Sequence, residues 1–237
     1  MIETAVILAA GQGTRLRDTA PIKPLCKVGG RALIDHALAG LAQAGLTRAI
    51  VVLGYEADAI AAHLAGARQP LAVATAMMPD PTLPNGVSVL AAADAVGAGE
   101  ALLVMCDHLV APDLYARVAL AGAGQGVSLG IDRRLGHPWV DDDDVTRVRT
   151  RGDAIVALGK GLTPYDAHDT GVFAIGPALF EALAALPAPS LTEGVRALAE
   201  AGRARVVDCS GLDWIDVDDA PALAKAEAWV ATMPAAA

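Results

Sequence analysis

Residues 8–33 read LAAGQGTRLRDTAPIKPLCKVGGRAL, and the fold of the chain turns on how this stretch can be built. It grows out of the apolar run Thr4 to Ala9, TAVILA, which is β-branched, uncharged and ends in small residues, the pattern of a buried strand. A helix cannot run through the segment beyond Ala9, because Pro21 and Pro24 interrupt it, while Gly11 and Gly13 can take positive φ and leave room beside the backbone. Connections of this length usually have a function or are disordered. Disorder fits poorly for a loop that carries Arg15 and Lys23 among small and apolar residues. A phosphate-binding GxxxxGK[ST] loop is absent, and in a GxGxxG pattern the third glycine would fall at Leu16. What remains is a backbone nest whose N–H groups can wrap polyphosphate oxygens, closed over by one Arg and one Lys.

Outward from this loop, strand and helix patterns alternate. Leu33 to Ala44 has helical spacing and stops at Gly45, Ala49 to Leu53 is a buried strand, Ala57 to Ala65 a short helix and Leu71 to Ala76 a strand. Pro79, Pro81 and Pro84 hold a loop, Asn85-Gly86 reads as a tight turn, and a helix is expected from near Val87, with Ser88 able to cap it. Ala101 to Met105 and Gly126 to Asp132 are the next strands. Val145 to Arg149 and Ala154 to Leu158 flank Gly152-Asp153 as a hairpin at the sheet edge, and Gly171 to Ile175 and Ala204 to Cys209 complete the strands. A last helix runs from near Pro221 to about Val230. The expected fold is α/β: a single domain over residues 1–232, doubly wound around a mostly parallel mixed sheet, with an edge hairpin and a frayed tail at 233–237. In such sheets ligands sit beyond the carboxyl ends of the strands.

Composition narrows the function classes. The 237 residues suffice for one large core, and no stretch reaches the roughly 18 to 20 apolar residues of a bilayer span. The start, MIET, enters a strand without the basic opening and cleavage site of a signal peptide, so the cytoplasm is expected, with no membrane insertion. Cys26, Cys106 and Cys209 offer neither a disulfide framework nor a thiolate zinc site. A net charge of −9, from 18 basic and 27 acidic residues, argues against a nucleic-acid partner.

Two acidic features differ in promise. Asp107 directly follows an apolar parallel strand, where a carboxylate is costly unless hydrated, hydrogen-bonded or bound to a cation, and Mg²⁺ suits one or two carboxylates combined with substrate phosphates. The four consecutive aspartates at 141–144 read as a solvated face or strand entry. Lys160 sits between Gly159 and Gly161 after a strand, free to point at a ligand.

The runs LAAGxGTRL, PIKPL and GGRALI resemble the signature of nucleotidyltransferases that make activated sugars and alcohols from a nucleoside triphosphate and a phosphomonoester. The later segment, with DVTRV, GDAIVALGKGL and Tyr165, Ala167, Asp169, Gly171 and Phe173 in a Tyr-x-Ala-x-Asp-x-Gly-x-Phe run, is closer to cytidylyltransferases acting on inositol 1-phosphate. The pair Asp107-His108 is also typical of them. The resemblance implies that Leu8, Ala9, Ala10, Gly11, Gly13 and Thr14 hold the nucleotide, with Gly86 and Ser88 at its base and ribose. It further implies that Arg15 and Lys23 neutralise the α-phosphate and the departing pyrophosphate. Asp216, in Trp-x-Asp-x-Asp, becomes the second Mg²⁺ ligand beside Asp107, with Asp218 the alternative. Lys160 is expected at the acceptor phosphate and Asp169 at its ring hydroxyls. The donor is then CTP and the acceptor inositol 1-phosphate. Sugar-1-phosphate and phosphocholine transfer remain rivals, as does a noncatalytic regulatory domain. The sequence carries no counterpart of the membrane transferase half fused in some such proteins, so the product is expected to pass to a separate CDP-alcohol transferase. The loop His137-Pro138-Trp139 has no assignment.

Overall fold

The computed structural model describes residues 1–232; the expected frayed tail, 233–237, lies outside the described residues. Strand β1 (Thr4–Ala9) opens into the glycine loop, which contains two single 3-10 turns, Thr14–Leu16 and Lys23–Leu25, and ends in a small ladder of β2 (Lys27–Val28) and β3 (Arg31–Ala32). Then come α1 (Leu33–Gln43), β4 (Arg48–Leu53), α2 (Ala57–Ala65), β5 (Ala72–Met77), α3 (Asn85–Ala91), α4 (Ala93–Val96) and β6 (Ala101–Met105). The chain continues through β7 (His108–Val110), α5 (Pro112–Ala121), β8 (Val127–Asp132), β9 (Arg147–Arg151), β10 (Ala154–Gly159) and β11 (Ala167–Ile175). It closes with α6 (Pro177–Ala184), α7 (Leu191–Glu200), β12 (Ala204–Asp208), β13 (Trp214–Asp216) and α8 (Ala220–Thr232).

Nine strands form one mixed sheet in the order β5-β4-β1-β6-β11-β8-β12-β10-β9. The first four run parallel. Strand β11 is antiparallel to both its neighbours, β6 and β8, while β12 is parallel to β8. Both faces are covered. Ala5, Ile7 and Ala9 enter a core with Ile34 and Leu38 of α1, Ile60 of α2 and Leu114 and Val118 of α5. Val6 and Leu8 enter the opposite core with Val89 of α3, Leu179 and Leu183 of α6 and Val195 of α7. Burial on two sides is why TAVILA is apolar throughout instead of alternating. The β9–β10 hairpin lies at the end of the order as expected, but its outer strand also pairs with β11 through Val148 and Arg147, which folds it back over the carboxyl ends of the parallel strands.

A third, smaller core seats the glycine loop. Leu16, Ala20, Cys26 and Val28 pack with Ile215, Val217, Ala226 and Trp229, so the C-terminal segment straps across the loop. Trp139 lies 5.1 Å from Trp229, ring centre to ring centre. Lys225 Nζ donates to the Pro138 carbonyl at 2.7 Å, giving the His137-Pro138-Trp139 loop its place against α8.

Asn85-Gly86 is not a tight turn: α3 begins at Asn85, whose Oδ1 accepts from Leu191 N at 2.8 Å and so ties this helix to α7. Nor does Ser88 cap the helix. It is buried, and its hydroxyl donates to Met78 Sδ at 2.8 Å.

Candidate active site

The glycine loop lines a cleft of about 340 Å³ together with Met78, Leu83, Ser88 and Asp107. Gly13 takes the left-handed conformation, φ 56°. A methyl group there would come 2.5 Å from Lys23 Cβ, so the missing side chain lets the lysine stem pass beneath the loop. Gly11 does not need positive φ, but nothing lies within 4 Å of where its Cβ would be, leaving open space beside the backbone. Leu8, Ala10, Gly11, Gly13 and Thr14 border the cleft. Ala9 does not border it, because its side chain alternates into the core on the α1 face. Gly86 is also not at the cleft: a Cβ there would lie 2.4 Å from the Pro189 carbonyl, making it a packing glycine beneath the α6–α7 connection.

At the carboxyl edge of β6 the charges converge. Lys23, only 7% exposed, donates to Asp107 Oδ2 at 2.6 Å and to Asp218. Arg15 pairs with Asp218 and, at 2.7 Å, with Asp144. Burial alone would lower the Lys23 pKa, but the charges of Asp107 and Asp216 outweigh it and hold it above its ordinary value. Burial works against the Asp107 carboxylate too, and Lys23 and His108 overcome it to keep its pKa low. The β7–β13 ladder sets Asp216 opposite His108. His108 Nδ1 donates to the Thr170 carbonyl at 3.0 Å, and Nε2 lies 3.5 Å from Asp216. Desolvation opposes its protonation, but Asp216 pushes its pKa up to about 9. Asp219 caps α8 by accepting from Ala222 N at 2.7 Å, which leaves Asp218 to face the cations.

The donor set fits a hard divalent cation. Ligand atoms of Asp107, His108 and Asp216 lie within 4.8 Å of one another, as do those of Asp144, Asp216 and Asp218. Asp216 Oδ1 is buried without a hydrogen-bond partner, and a cation would satisfy it.

Beyond Arg15 and Asp218 a second cavity of about 480 Å³ opens, lined among others by Lys160, Asp169, Trp139 and Trp214. Arg15, Asn85, Met105 and Asp218 border both spaces, so the two meet at this seam. Lys160 is 61% exposed and pairs with Asp144. Asp169 lies within β11 and not ahead of it, at a bulge where Gly171, φ 76°, leaves no side chain to collide with His108. The Asp141–Asp144 run is a solvated face only in part: Asp141 and Asp143 are exposed, but Asp144 joins Arg15 and Lys160, and Asp142 meets His168. Asp144 and Asn85 thus stand at the site although the sequence assigns them no part in it, and His108 joins them from beside Asp107. Only His108, beside Asp107 after a buried strand, carries a local signal.

Burial of Asp169 ties stability to pH. It pushes the carboxyl up to about 6 from 3.8, against the lowering effect of the Gly171 N–H. Below about pH 4 folded and unfolded chains both carry it protonated and there is no penalty. As the pH rises from about 4 to 6 the unfolded chain ionises this group while the folded chain keeps the buried acid protonated, so stability falls across that window and levels off above it. The rise corresponds to about 3 kcal/mol at the outside. Asp169→Asn is therefore expected to melt several degrees higher than the parent at pH 8 and at the same temperature near pH 4, in paired thermal scans. A gain of equal size at both pH values would contradict this origin.

The model of the MobA-like NTP transferase domain matches residues 5–207, a range that ends before Asp216 and Asp218. The "Bifunctional IPC transferase and DIPP synthase" of Rubrobacter xylanophilus is 34% identical over 219 residues, 90% of this chain and 49% of the relative. The chain spans about half the length of the curated relatives of that name. Among solved structures, the inositol-1-phosphate CTP transferase from T. maritima superposes with a TM-score of 0.83 at 20% identity, covering 99% of this chain and 98% of the other. A putative glucose-1-phosphate thymidylyltransferase from Bacillus anthracis gives 0.84 at 17%, covering 100% and 98%. At these identities the two structures establish a shared fold.

Proposed function

We propose that this chain, which belongs to the MobA-like NTP transferase domain family, transfers the cytidylyl group of CTP to inositol 1-phosphate and releases pyrophosphate. The observation that carries this is the meeting of two cavities at Arg15 and Asp218: one bordered by the glycine loop and Lys23, the other holding Lys160 and Asp169. Donor and acceptor phosphates are both anionic, and each pair of unit charges 4 Å apart repels by about 4 kcal/mol at an effective dielectric of 20. Cations on both sides of the seam answer that repulsion. No general base is required, because the second pKa of a phosphomonoester is about 6 and the attacking oxygen is already ionised near neutral pH. That oxygen forms a bond to the α-phosphorus as the bond to the β-phosphate oxygen breaks in line, and Arg15 and Lys23 face the charge that collects on the leaving pyrophosphate.

Asp107 and Asp216, with Asp218 as the alternative, would hold Mg²⁺, which supplies Lewis-acid neutralisation of phosphate oxygens when bound. Leu8, Ala10, Gly11, Gly13, Thr14 and Ser88 are assigned to the nucleotide, Lys160 to the acceptor phosphate and Asp169 to ring hydroxyls. An ionised carboxylate accepts hydrogen bonds from a polyol but repels a phosphate, which suits this division. A phosphocholine acceptor would call for free aromatic faces. Here Tyr165 is covered by Arg147 at 4.6 Å, and Trp214 stacks on His108 at 6.0 Å. The names of the R. xylanophilus relative and the T. maritima structure support the inositol acceptor, and the B. anthracis likeness supports sugar 1-phosphates as the second reading. Residues 1–232 act as one nucleotidyltransferase domain in the cytoplasm, without nucleic acid, and hand the product to a CDP-alcohol transferase. Among the described residues, no helix is long and apolar enough to cross a membrane.

The deciding experiment measures pyrophosphate release for four nucleoside triphosphates crossed with inositol 1-phosphate, glucose 1-phosphate and phosphocholine. CTP with inositol 1-phosphate is expected to be fastest. Lys160→Ala should raise the KM for the acceptor on the order of tenfold while leaving that for CTP within a factor of about two, as the loss of one exposed charge-assisted contact implies. Faster turnover of glucose 1-phosphate or phosphocholine by the parent protein would keep the nucleotidyl transfer and discard the inositol assignment.

A further inference from the structure

His168 is fully buried on β11, yet its Nε2 faces a single partner, Asp142 Oδ1 at 3.1 Å, and its Nδ1 is buried without one. An imidazole there gives up its hydration for one hydrogen bond, and a polar atom left unpaired is a net cost to the fold. An aliphatic side chain would fill the position more cheaply. The bond ends on a loop carboxylate that is 46% exposed, so what it secures is the loop and not the core.

Asp143 N donates to Asp141 Oδ1 at 3.0 Å, and the N–H groups of Asp144 and Val145 donate to the Asp141 carbonyl at 3.1 and 2.9 Å. Asp142 joins this turn to the sheet: besides His168, the Tyr165 hydroxyl lies 3.4 Å from its Oδ1, and Arg147 donates to its carbonyl at 2.9 Å. Two residues on, Asp144 gives one carboxylate oxygen to Arg15 and the other to Lys160. These are long side chains, 50% and 61% exposed, with many rotamers open to them.

We propose that the turn Asp141–Val145 is a positioning element of the transfer reaction. Asp144 fixes Arg15 and Lys160 relative to each other, and His168 and Tyr165 are positioning residues acting through Asp142. This rests on the assignment of Arg15 to the donor phosphates and Lys160 to the acceptor phosphate. A guanidinium has five N–H donors and an ammonium three, so each can keep Asp144 and still receive a phosphate. Sharing one carboxylate holds the two cations at a set separation, and with it the two phosphates in reach of in-line attack, where a misplacement of 1 Å costs on the order of 100-fold in rate.

The test compares His168→Leu, Asp142→Ala, their double variant and His168→Gln, measuring kcat and KM in pyrophosphate release from CTP and inositol 1-phosphate, thermal midpoint, and amide exchange at residues 143–146. The first two variants should each lose on the order of 100-fold in kcat/KM for the acceptor, with faster exchange in the turn. The double variant should be no worse than the poorer single one, as expected for two members of one linkage. His168→Leu should melt at or above the parent temperature, which a merely structural histidine would not do. His168→Gln, whose Nε2–H can reach the same oxygen, should restore most of the activity. Additive losses, or full activity in a variant whose turn exchanges faster, would overturn the inference. If His168→Leu fails to fold, Asp142→Ala carries the test alone, being a change at a half-exposed loop residue. A parent protein that releases no pyrophosphate with any pair overturns the transferase reading itself, whereas an active parent with unaffected variants overturns only the positioning role.

Discussion

Asp107→Asn is expected to lower turnover about a thousandfold while leaving the fold intact, with Mg²⁺ or Mn²⁺ no longer raising the melting temperature of the variant. The size of the effect comes from the placement of the carboxylate. It lies in the turn two residues beyond a fully apolar strand, is held ionised by Lys23 and His108, and lies with Asp216 in a set of ligand atoms within 4.8 Å. An amide is nearly the same shape, so it keeps the packing. It carries no charge and competes poorly with water for a hard cation. The thermal measurement separates loss of the metal from loss of chemistry, since it needs no substrate. A parent protein whose pyrophosphate release is undiminished by excess chelator, or an Asp107→Asn variant that still gains stability from the cation, would remove the metal from this position.

Asp107 can be found in the sequence because its signal is local: a carboxylate one residue removed from the apolar run Ala101–Met105 has no ordinary reason to be there. The glycine loop is legible for the same kind of reason, since Pro21, Pro24 and the glycines forbid regular structure whatever the rest of the chain does. Asp144 is different. Within DDDD nothing local distinguishes the residue that reaches Arg15, 129 positions away, from the three beside it. Its role is created by the β9–β10 hairpin folding back onto β11, a long-range pairing that alternation in VTRVR cannot announce. Gly86 fails in the opposite direction. A glycine beside Asn85 looks like turn chemistry, and only the approach of the Pro189 carbonyl reveals that it is small because another backbone passes close by. Ala9 shows the limit of carrying a motif residue by residue: strand alternation turns its side chain away from the ligand edge even though its neighbours line the cleft.

Lys23→Met should reduce kcat by about 100- to 1,000-fold, with the KM for CTP rising only a few-fold. Methionine is the informative replacement because the stem of Lys23 fills the space that Gly13 leaves open, so alanine would add a packing defect to the loss of charge. The ammonium is buried and held by Asp107 and Asp218, with Asp216 Oδ1 at 3.9 Å. A cation already neutralised by carboxylates contributes little to the first encounter with a triphosphate. Its contribution grows when negative charge accumulates on the departing pyrophosphate, which places the effect in turnover rather than in binding. Arg15 provides the contrast: half exposed and aimed at the seam, it should affect the KM for CTP more than Lys23 does. Its removal also frees Asp218 to repel the incoming phosphates. Measuring kcat and KM for both variants under saturating acceptor resolves the two roles. If Lys23→Met keeps its turnover and loses only affinity, the ammonium belongs to ground-state binding and the charge on the leaving group is met elsewhere.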